Sequence, residues 1–281
     1  SCTYGVSCFG VCDGAIDLTV SGGCAEDGEY TYNWSGPDGF TSAEQNITEL
    51  CEGTYSVIIT DDNDLVFEIN DILITTPDVL TVEETVLTYP PCGYGVSCFG
   101  DENGSIVLNV SGGCAPYTYV WTGPDEFTSS DEDLMGISAG SYSVTVTDDN
   151  GCFVVIPIIE ITEPEELIIS DPVIEQYSCG YQVSEIGASD GSINLTVSGG
   201  CEPYTYAWTA TNGFISDQQN IDNISAGTYS LIVTDSNGCI SETDPIEITE
   251  PELFTAEETV FEHSCTYGVS CFGVCDGAID L

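Results

Sequence analysis

The chain has 281 residues, with 48 Asp and Glu, no Lys or Arg and a single His, giving a formal net charge of −48 at neutral pH. That balance makes nucleic acid and anionic lipid poor partners and leaves no salt bridge to Lys or Arg, so the fold must rest on apolar burial, backbone pairing and crosslinks. High charge alone would read as disorder, but a composition 42% apolar and 10% aromatic can bury a core.

Fifteen Cys at regular positions fit an oxidising, extracytoplasmic compartment better than the reducing cytosol. No apolar run reaches the roughly 18 residues of a bilayer-spanning helix, so no membrane insertion is expected of this stretch, and a window from the middle of an exported protein is expected to lack a signal peptide as well. Carboxylates this dense repel one another. Salt relieves the strain, the screening length being about 10 Å at 0.1 M and about 3 Å at 1 M ionic strength. Ca²⁺, Mg²⁺ or a salty medium are therefore the expected company.

The eighteen residues SCTYGVSCFGVCDGAIDL at 1–18 return unchanged at 264–281, which reads as one period of a longer array spanning 1–263. Inside it, ITTP ending at Pro77 and ITEP ending at Pro164 and Pro251 recur every 87 residues. That length suits a small domain better than a solenoid unit. The expected domains are 1–77, a repeat lacking its first strand, then 78–164 and 165–251, with 252–281 opening the next, as beads on a string.

After each boundary proline, LTVEETVL at 80–87, ELIISDPVI at 166–174 and LFTAEETVF at 253–261 are predicted to form strand A. Strand B follows a Cys-containing loop and alternates strictly through Ile16, Leu18 and Val20, Ile106, Leu108 and Val110, and Ile193, Leu195 and Val197, the mark of a half-buried strand. An SGGC turn leads to strand C, where Tyr30, Tyr32 and Trp34 share one face, as do Tyr117, Tyr119 and Trp121, and Tyr204, Tyr206 and Trp208. The stretch after each Trp is rich in Gly, Asp, Ser and Asn and reads as loop with one short strand at most. Gly-x-Tyr opens strand F at Tyr55, Tyr142 and Tyr229, placed like the tyrosine corner of immunoglobulin-like sandwiches. A TDxN turn, continued by Gly151 and Gly238 in two repeats, signals a tight hairpin into strand G. No window has helical spacing with caps, so each repeat is expected to be an all-β, two-sheet sandwich.

The cysteines sort by position. Cys2, Cys92 and Cys179 precede strand B, and Cys8 and Cys98 follow the first two, where the third repeat has Glu185. Cys24, Cys114 and Cys201 sit in the B–C turn, and Cys152 and Cys239 at the F–G tip, where the first repeat has Leu65. Cys12 and Cys51 belong to the first repeat alone. In a sandwich of alternating strands the B–C and F–G turns share the upstream pole, and the A–B and E–F loops the downstream one. The expected disulfides are Cys114–Cys152, Cys201–Cys239, Cys12–Cys51, Cys2–Cys8 and Cys92–Cys98, with Cys265–Cys271 repeating Cys2–Cys8. Cys179, at the downstream pole of the third repeat, and Cys24, at the upstream pole of the first, are left to bridge successive long periods. Sequence alone does not prove connectivity, and Cys98 with Cys152 is the rival scheme. A bridge closing a loop of about 40 residues is worth about 3–4 kcal/mol, a large share of a domain stability of about 5–15 kcal/mol.

Asp61, Asp62 and Asp64, with Asp148 and Asp149, are candidate Ca²⁺ ligands, being hard oxygen donors. Asp at a hairpin tip is equally what the turn itself favours, and the spacing is not that of an EF-hand. The aromatic stripe of strand C could stack on sugars, but its alternation in every repeat fits a core. Neighbours such as Glu83 and Glu84 point to opposite faces of a strand, unlike the facing carboxyls of a glycosidase. With no His beside a Ser or Cys, no basic clamp and no phosphate-cradling loop, catalysis is not expected and no cofactor is required.

CFGDENGSIVLNVSGGCAPYTYVWTGP at 98–124, SAGSYSVTVTDDNGC at 138–152 and ITEP at 161–164 resemble the SprB-type repeat of giant surface adhesins of gliding Bacteroidetes. The resemblance covers essentially the whole chain, because the motifs recur in order three times. It implies Ig-like sandwich repeats in a long cell-surface filament exported by type IX secretion and contacting the substratum or other cells. The extra Cys in SGGC, the absence of Cys at Glu185 and Leu65 and the lack of any Lys or Arg depart from the family pattern. The expected function is a structural and adhesive module of a disulfide-stabilised extracellular filament or stalk. Its expected partners are copies of itself or neighbouring repeats, divalent cations and surface glycans. The alternative is a lectin-like or Ca²⁺-binding array. The loops GPDGFTSAEQN, GPDEFTSSDED and ATNGFISDQQN share little beyond Phe40, Phe127 and Phe214, which favours the scaffold.

Overall fold

The structure, a computed structural model, describes residues 3–23, 30–260 and 279–280. It divides into two compact units, Ser1–Glu166 and Leu167–Leu281. The first sandwich is built from β1 (Gly14–Ile16), β2 (Thr31–Ser35), β3 (Thr41–Ser42), β4 (Ile47–Leu50), β5 (Gly53–Thr60) and β6 (Val66–Ile74). The second, in the same unit, opens with an edge strand, β7 (Thr81–Val86), and continues with β8 (Gly104–Ser111), β9 (Thr118–Thr122), β10 (Thr128–Ser129), β11 (Leu134–Ile137), β12 (Gly140–Thr147) and β13 (Phe153–Ile161).

The second unit repeats this plan with its edges broken. It has β14 (Ile168–Ile169) and β15 (Val173–Ile174), then β16 (Gly191–Asn194) and β17 (Val197–Ser198), β18 (Thr205–Ala210), β19 (Ile215–Ser216), β20 (Ile221–Ile224), β21 (Gly227–Thr234), β22 (Ile240–Glu242) and β23 (Ile246–Ile248). The breaks have a local cause, since Pro172 and Pro245 carry no N–H for a ladder. A further antiparallel pair joins β24 (Thr259–Val260) to β25 (Ile279–Asp280).

The most complete sandwich is the second. One sheet runs β11–β8–β7 and the other β10–β9–β12–β13, with every ladder antiparallel. The alternation of β8 sends Ile106 and Leu108 inward to meet Trp121, Tyr142, Val144 and Val146 from the facing sheet. Trp34, Trp121 and Trp208 are the largest fully buried side chains of their sandwiches. The chain is thus all-β, a tandem of Ig-like sandwiches.

Where one short strand at most was expected after strand C, there are two: β3 and β4, β10 and β11, β19 and β20. The second of each pair escaped a period-two reading because it is bulged. Its two end residues face the core and its two middle ones face out. The third residue, Glu49, Gly136 or Asn223, has φ of 58°, 69° or 54°, a left-handed step that returns the chain to the core after two outward residues.

The Tyr that opens strand F makes a corner in each sandwich. Tyr55, Tyr142 and Tyr229 donate their hydroxyls to the carbonyls of Cys51, Ser138 and Ser225 at 3.0, 3.0 and 2.8 Å. Phe40, Phe127 and Phe214, which the intervening loops share, lie edge-on to those rings at 5.4, 5.5 and 5.6 Å between centroids, a favoured aromatic geometry. The Phe is therefore a packing residue.

Candidate functional site

The two poles of each sandwich carry the chemistry that distinguishes this chain. At the upstream pole of the second repeat, Asp148 is buried. One of its oxygens accepts the backbone N–H of Cys114 at 2.8 Å, and the other accepts those of Asn150 and Cys152 at 3.0 and 2.9 Å. Asp235, equally buried, repeats the arrangement with Cys201 at 2.7 Å and Asn237 and Cys239 at 2.9 Å. In the first repeat Asp61 accepts from Asn63 and Leu65, both at 2.9 Å. A buried carboxylate needs a compensating partner. In a chain without Lys or Arg, backbone amides at two converging turns supply it.

That geometry revises the Ca²⁺ reading. The oxygens of Asp148 face N–H dipoles, the environment of an anion acceptor rather than of a cation ligand, and Asp61 turns an oxygen to two amides. Asp62, Asp64 and Asp149 are exposed. Among the described residues no cluster of three or more His, Cys, Asp or Glu side chains is placed to hold a metal ion.

The same carboxylate explains a second correction. Cys114 does not pair with Cys152: the turns that carry them are tied through Asp148, and Cys152 forms its disulfide with Cys8, 144 residues away. Cys8 lies at the downstream pole of the first repeat and Cys152 at the upstream pole of the second. The bond therefore crosses the junction between repeats. It overturns Cys2–Cys8, Cys114–Cys152 and the rival Cys98–Cys152, each of which requires a sulfur already used. Beside it, Asn150 donates its side-chain N–H to the carbonyl of Ser7 at 2.9 Å. A cleft of about 370 Å³ at the junction is lined by Phe9 from one repeat and by Val79, Leu80, Phe153 and Val154 from the next.

Within the first repeat Cys12 and Cys51 are joined, tying the A–B loop to the E–F turn. Cys92, Cys98, Cys114, Cys201 and Cys239 are also disulfide-bonded, whereas Cys179 is a free and exposed thiol. Cys2, Cys24, Cys265 and Cys271 lie outside the described residues. Among the described residues no helix is long and apolar enough to cross a membrane.

A family model described as the SprB repeat matches residues 5–39, 96–126 and 186–213. The SprB repeat model thus matches the chain at three segments, one in each sandwich. Each match runs from within the loop before strand B through strands B and C to the turn after them, so the Asp148 and Asp235 carboxylates and the F–G tip lie outside the matched stretches. No curated protein matches the chain. Among solved structures, Drosophila OTK extracellular domains 3–5 are 13% identical, with 78% of this chain and 85% of that one covered at a TM-score of 0.24. Chicken CNTN1 FN1–FN3 domains are 13% identical, with coverages of 86% and 96% and a TM-score of 0.25. The N-terminal eight Ig domains of DSCAM are 14% identical, with coverages of 78% and 36% and a TM-score of 0.23. At such scores these likenesses carry no argument.

The Cys loops of the repeats are pinned in one way. The amide of Gly5 donates to the carbonyl of Thr75 at 2.9 Å and that of Gly95 to Thr162 at 2.8 Å. Val6, Val96 and Val183 plug the downstream end of each core. The loop is closed by an Asx acceptor, with the amides of Ser7, Ser97 and Ser184 donating to Asp13, Asn103 and Asp190 at 2.9, 3.1 and 3.1 Å.

The hydroxyl and then the amide of Ser7 hold the Asp13 carboxyl below its ordinary 3.8, and Ser184 does the same to Asp190. Because the folded value is depressed, these bonds stabilise the loop above the ordinary carboxylate range and are lost as pH falls through the folded value. NMR titration should show the Ser184 amide moving with a midpoint below 3.8, and Asp190→Asn should abolish that movement. A midpoint at or above the ordinary value would refute the assignment.

The aromatic stripes belong to the interior. The indole N–H groups of Trp34, Trp121 and Trp208 donate to the carbonyls of Glu44, Asp131 and Gln218 at 2.8, 2.9 and 2.9 Å. Tyr117 and Tyr119 pack half-buried against the same core. Burial, reinforced by the negative charge of Glu132, pushes the Tyr119 phenol up to about 12. No Trp face is open to stack on a sugar.

Proposed function

We propose that this chain is a stretch of a long extracellular filament or stalk on a bacterial surface, adhesin-like and not catalytic, whose repeats are stapled to one another as well as closed within themselves. The observation that carries the reading is Cys8–Cys152, a covalent bond from the downstream loop of one repeat to the upstream hairpin of the next. A binding array needs only flexible spacing between its modules, whereas a strut must resist bending at every joint. The upstream carboxylates engaged by amides and the aromatic stripes in the cores both speak against the lectin-like or Ca²⁺-binding alternative.

Cys179, free and exposed, is assigned to the bridge with Cys24 of the following long period, in keeping with a downstream loop that reaches forward at Cys8. Copies of the repeat, divalent counter-ions and surface glycans or the substratum are the proposed partners, and type IX secretion the proposed route outward. At about 3.3 Å per strand residue each sandwich would add roughly 30–40 Å. Electron microscopy of native surface fibres should show an axial repeat of about 100 Å, three sandwiches per long period. A repeat unrelated to three sandwiches would refute the filament reading.

A further inference from the structure

Cys8–Cys152 leaves one sulfur near the junction without an assigned partner. Cys114, in the B–C turn of the second repeat, is fully buried and disulfide-bonded, yet Cys8, Cys152, Cys12 and Cys51 are paired among themselves. A disulfide holds its two Cα atoms about 4.4–6.8 Å apart. Cys92 and Cys98 precede β8 and Cys114 follows it, and eight strand residues put about 26 Å between the two poles. Among the described cysteines of the first unit none remains for Cys114. Cys24 is next in sequence to Gly23, and Gly23 stands beside Asp61 at the upstream pole of the first repeat, the length of a sandwich from the junction.

The loop that the first repeat extends to the junction leads toward that sulfur. The Cys114 carbonyl accepts the amide of Asp149 at 2.8 Å, and the next residue, Asn150, donates to the Ser7 carbonyl at 2.9 Å. Asn150 and Tyr4 border one cleft of about 290 Å³. Cys2 stands two residues ahead of Tyr4 in sequence, a reach of at most about 7 Å. Cys8, from the same loop, already crosses to the hairpin that Asp148 ties to Cys114.

We propose that Cys114 is bonded to Cys2, so that the two turns joined by Asp148 each receive a sulfur from one loop of the preceding repeat. The bond forms by thiol–disulfide exchange: the two thiols give up two protons and two electrons, and an oxidised dithiol carrier outside the cytoplasm is reduced from disulfide to two thiols. Cys2 lies three residues ahead of Gly5, where the loop is pinned to Thr75. The bond is therefore a tether with slack, and the coupling of the two cores is left to Cys8–Cys152. Its effect is on load. Tension arriving at Cys2 passes through sulfur to Cys114, and the chain between them carries none of it even when Cys8–Cys152 is open. The connectivity stands whether or not the chain forms a filament; within one, it keeps an unfolded first repeat from lengthening the fibre.

Because the chain has no Lys, the amine of Ser1 is the sole primary amine of the 281-residue chain, and tagging it distinguishes residues 1–18 from their copy at 264–281. With free thiols alkylated first, digestion by an acid protease without reductant should yield a disulfide-linked pair, one peptide carrying the tag and the other Cys114. Cys114 linked to any other cysteine, or a tagged peptide whose Cys2 is alkylated, would overturn the proposal. Cys2→Ser should leave Cys114 as a thiol that is alkylated once the chain is unfolded; a Cys114 that stays bonded there would equally overturn it. Stretched by its ends, the Cys8→Ser, Cys152→Ser chain should unravel to a shorter length than the same chain with Cys2→Ser added, and equal lengths would refute the tether. None of these results bears on the axial repeat of native fibres, which tests the filament reading separately.

Discussion

Asp235→Ala is expected to lower the stability of the third repeat by about 3–5 kcal/mol, since the carboxylate accepts three backbone N–H bonds at 2.7–2.9 Å and a net hydrogen bond to a charged group is worth about 1.5–3 kcal/mol. Simple addition would exceed that range, but Asn237 at the hairpin tip can turn to water. The amides of buried Cys201 and Cys239 cannot. Asp235→Asn is the sharper probe. Its carbonyl oxygen can still serve Asn237 and Cys239, while its NH₂ group meets the Cys201 amide donor to donor, so roughly half the loss should remain. Thermal unfolding of the full chain, with hydrogen exchange at Cys201 and Cys239 as the local readout, measures both. A loss under about 1 kcal/mol for the alanine variant would mean that the two turns hold without their carboxylate.

Replacing Cys8 and Cys152 together by Ser should uncouple the first repeat from the second. For a sequence separation of 144 residues the chain-entropy estimate is about 5 kcal/mol, and the Cys12–Cys51 bridge inside that loop shortens the effective chain and lowers it only slightly, to about 4.7 kcal/mol. In calorimetry the first unit of the native chain should melt as one cooperative transition and that of the double variant as two. Added salt should recover part of the loss by screening the carboxylates. An unchanged single transition would show that Asn150, Ser7 and the junction cleft couple the repeats without sulfur.

Much of the fold was legible because a strand with one face in water writes its geometry as alternation. Ile106, Leu108 and Val110 mark the inward face of one sheet, and Tyr117, Tyr119 and Trp121 that of the other. The corner Tyr142 and the hairpin at Gly151 were readable for the same local reasons. β4, β11 and β20 were not, because a bulge breaks the period of two. Their signal was a pair of apolar residues three apart, Ile47 with Leu50, Leu134 with Ile137 and Ile221 with Ile224, around a residue that tolerates a left-handed turn.

The sites were less legible than the strands. Asp148 reads from sequence as a hard oxygen in a turn, but whether a carboxylate meets cations or amides depends on which way neighbouring dipoles point, and that follows from two loops brought together across 34 residues.

By itself the sequence determined the strand faces, the aromatic cores, the repeat length and the reliance on something other than ion pairs, since all of these follow from residue type and local spacing. Tertiary structure alone decided the sulfur connectivity. Spacing assigns each Cys to a pole, but every pole of a tandem array faces both its own repeat and the adjoining one. Here Asp148 ties the B–C and F–G turns together, and Cys152 is joined to Cys8 across the junction.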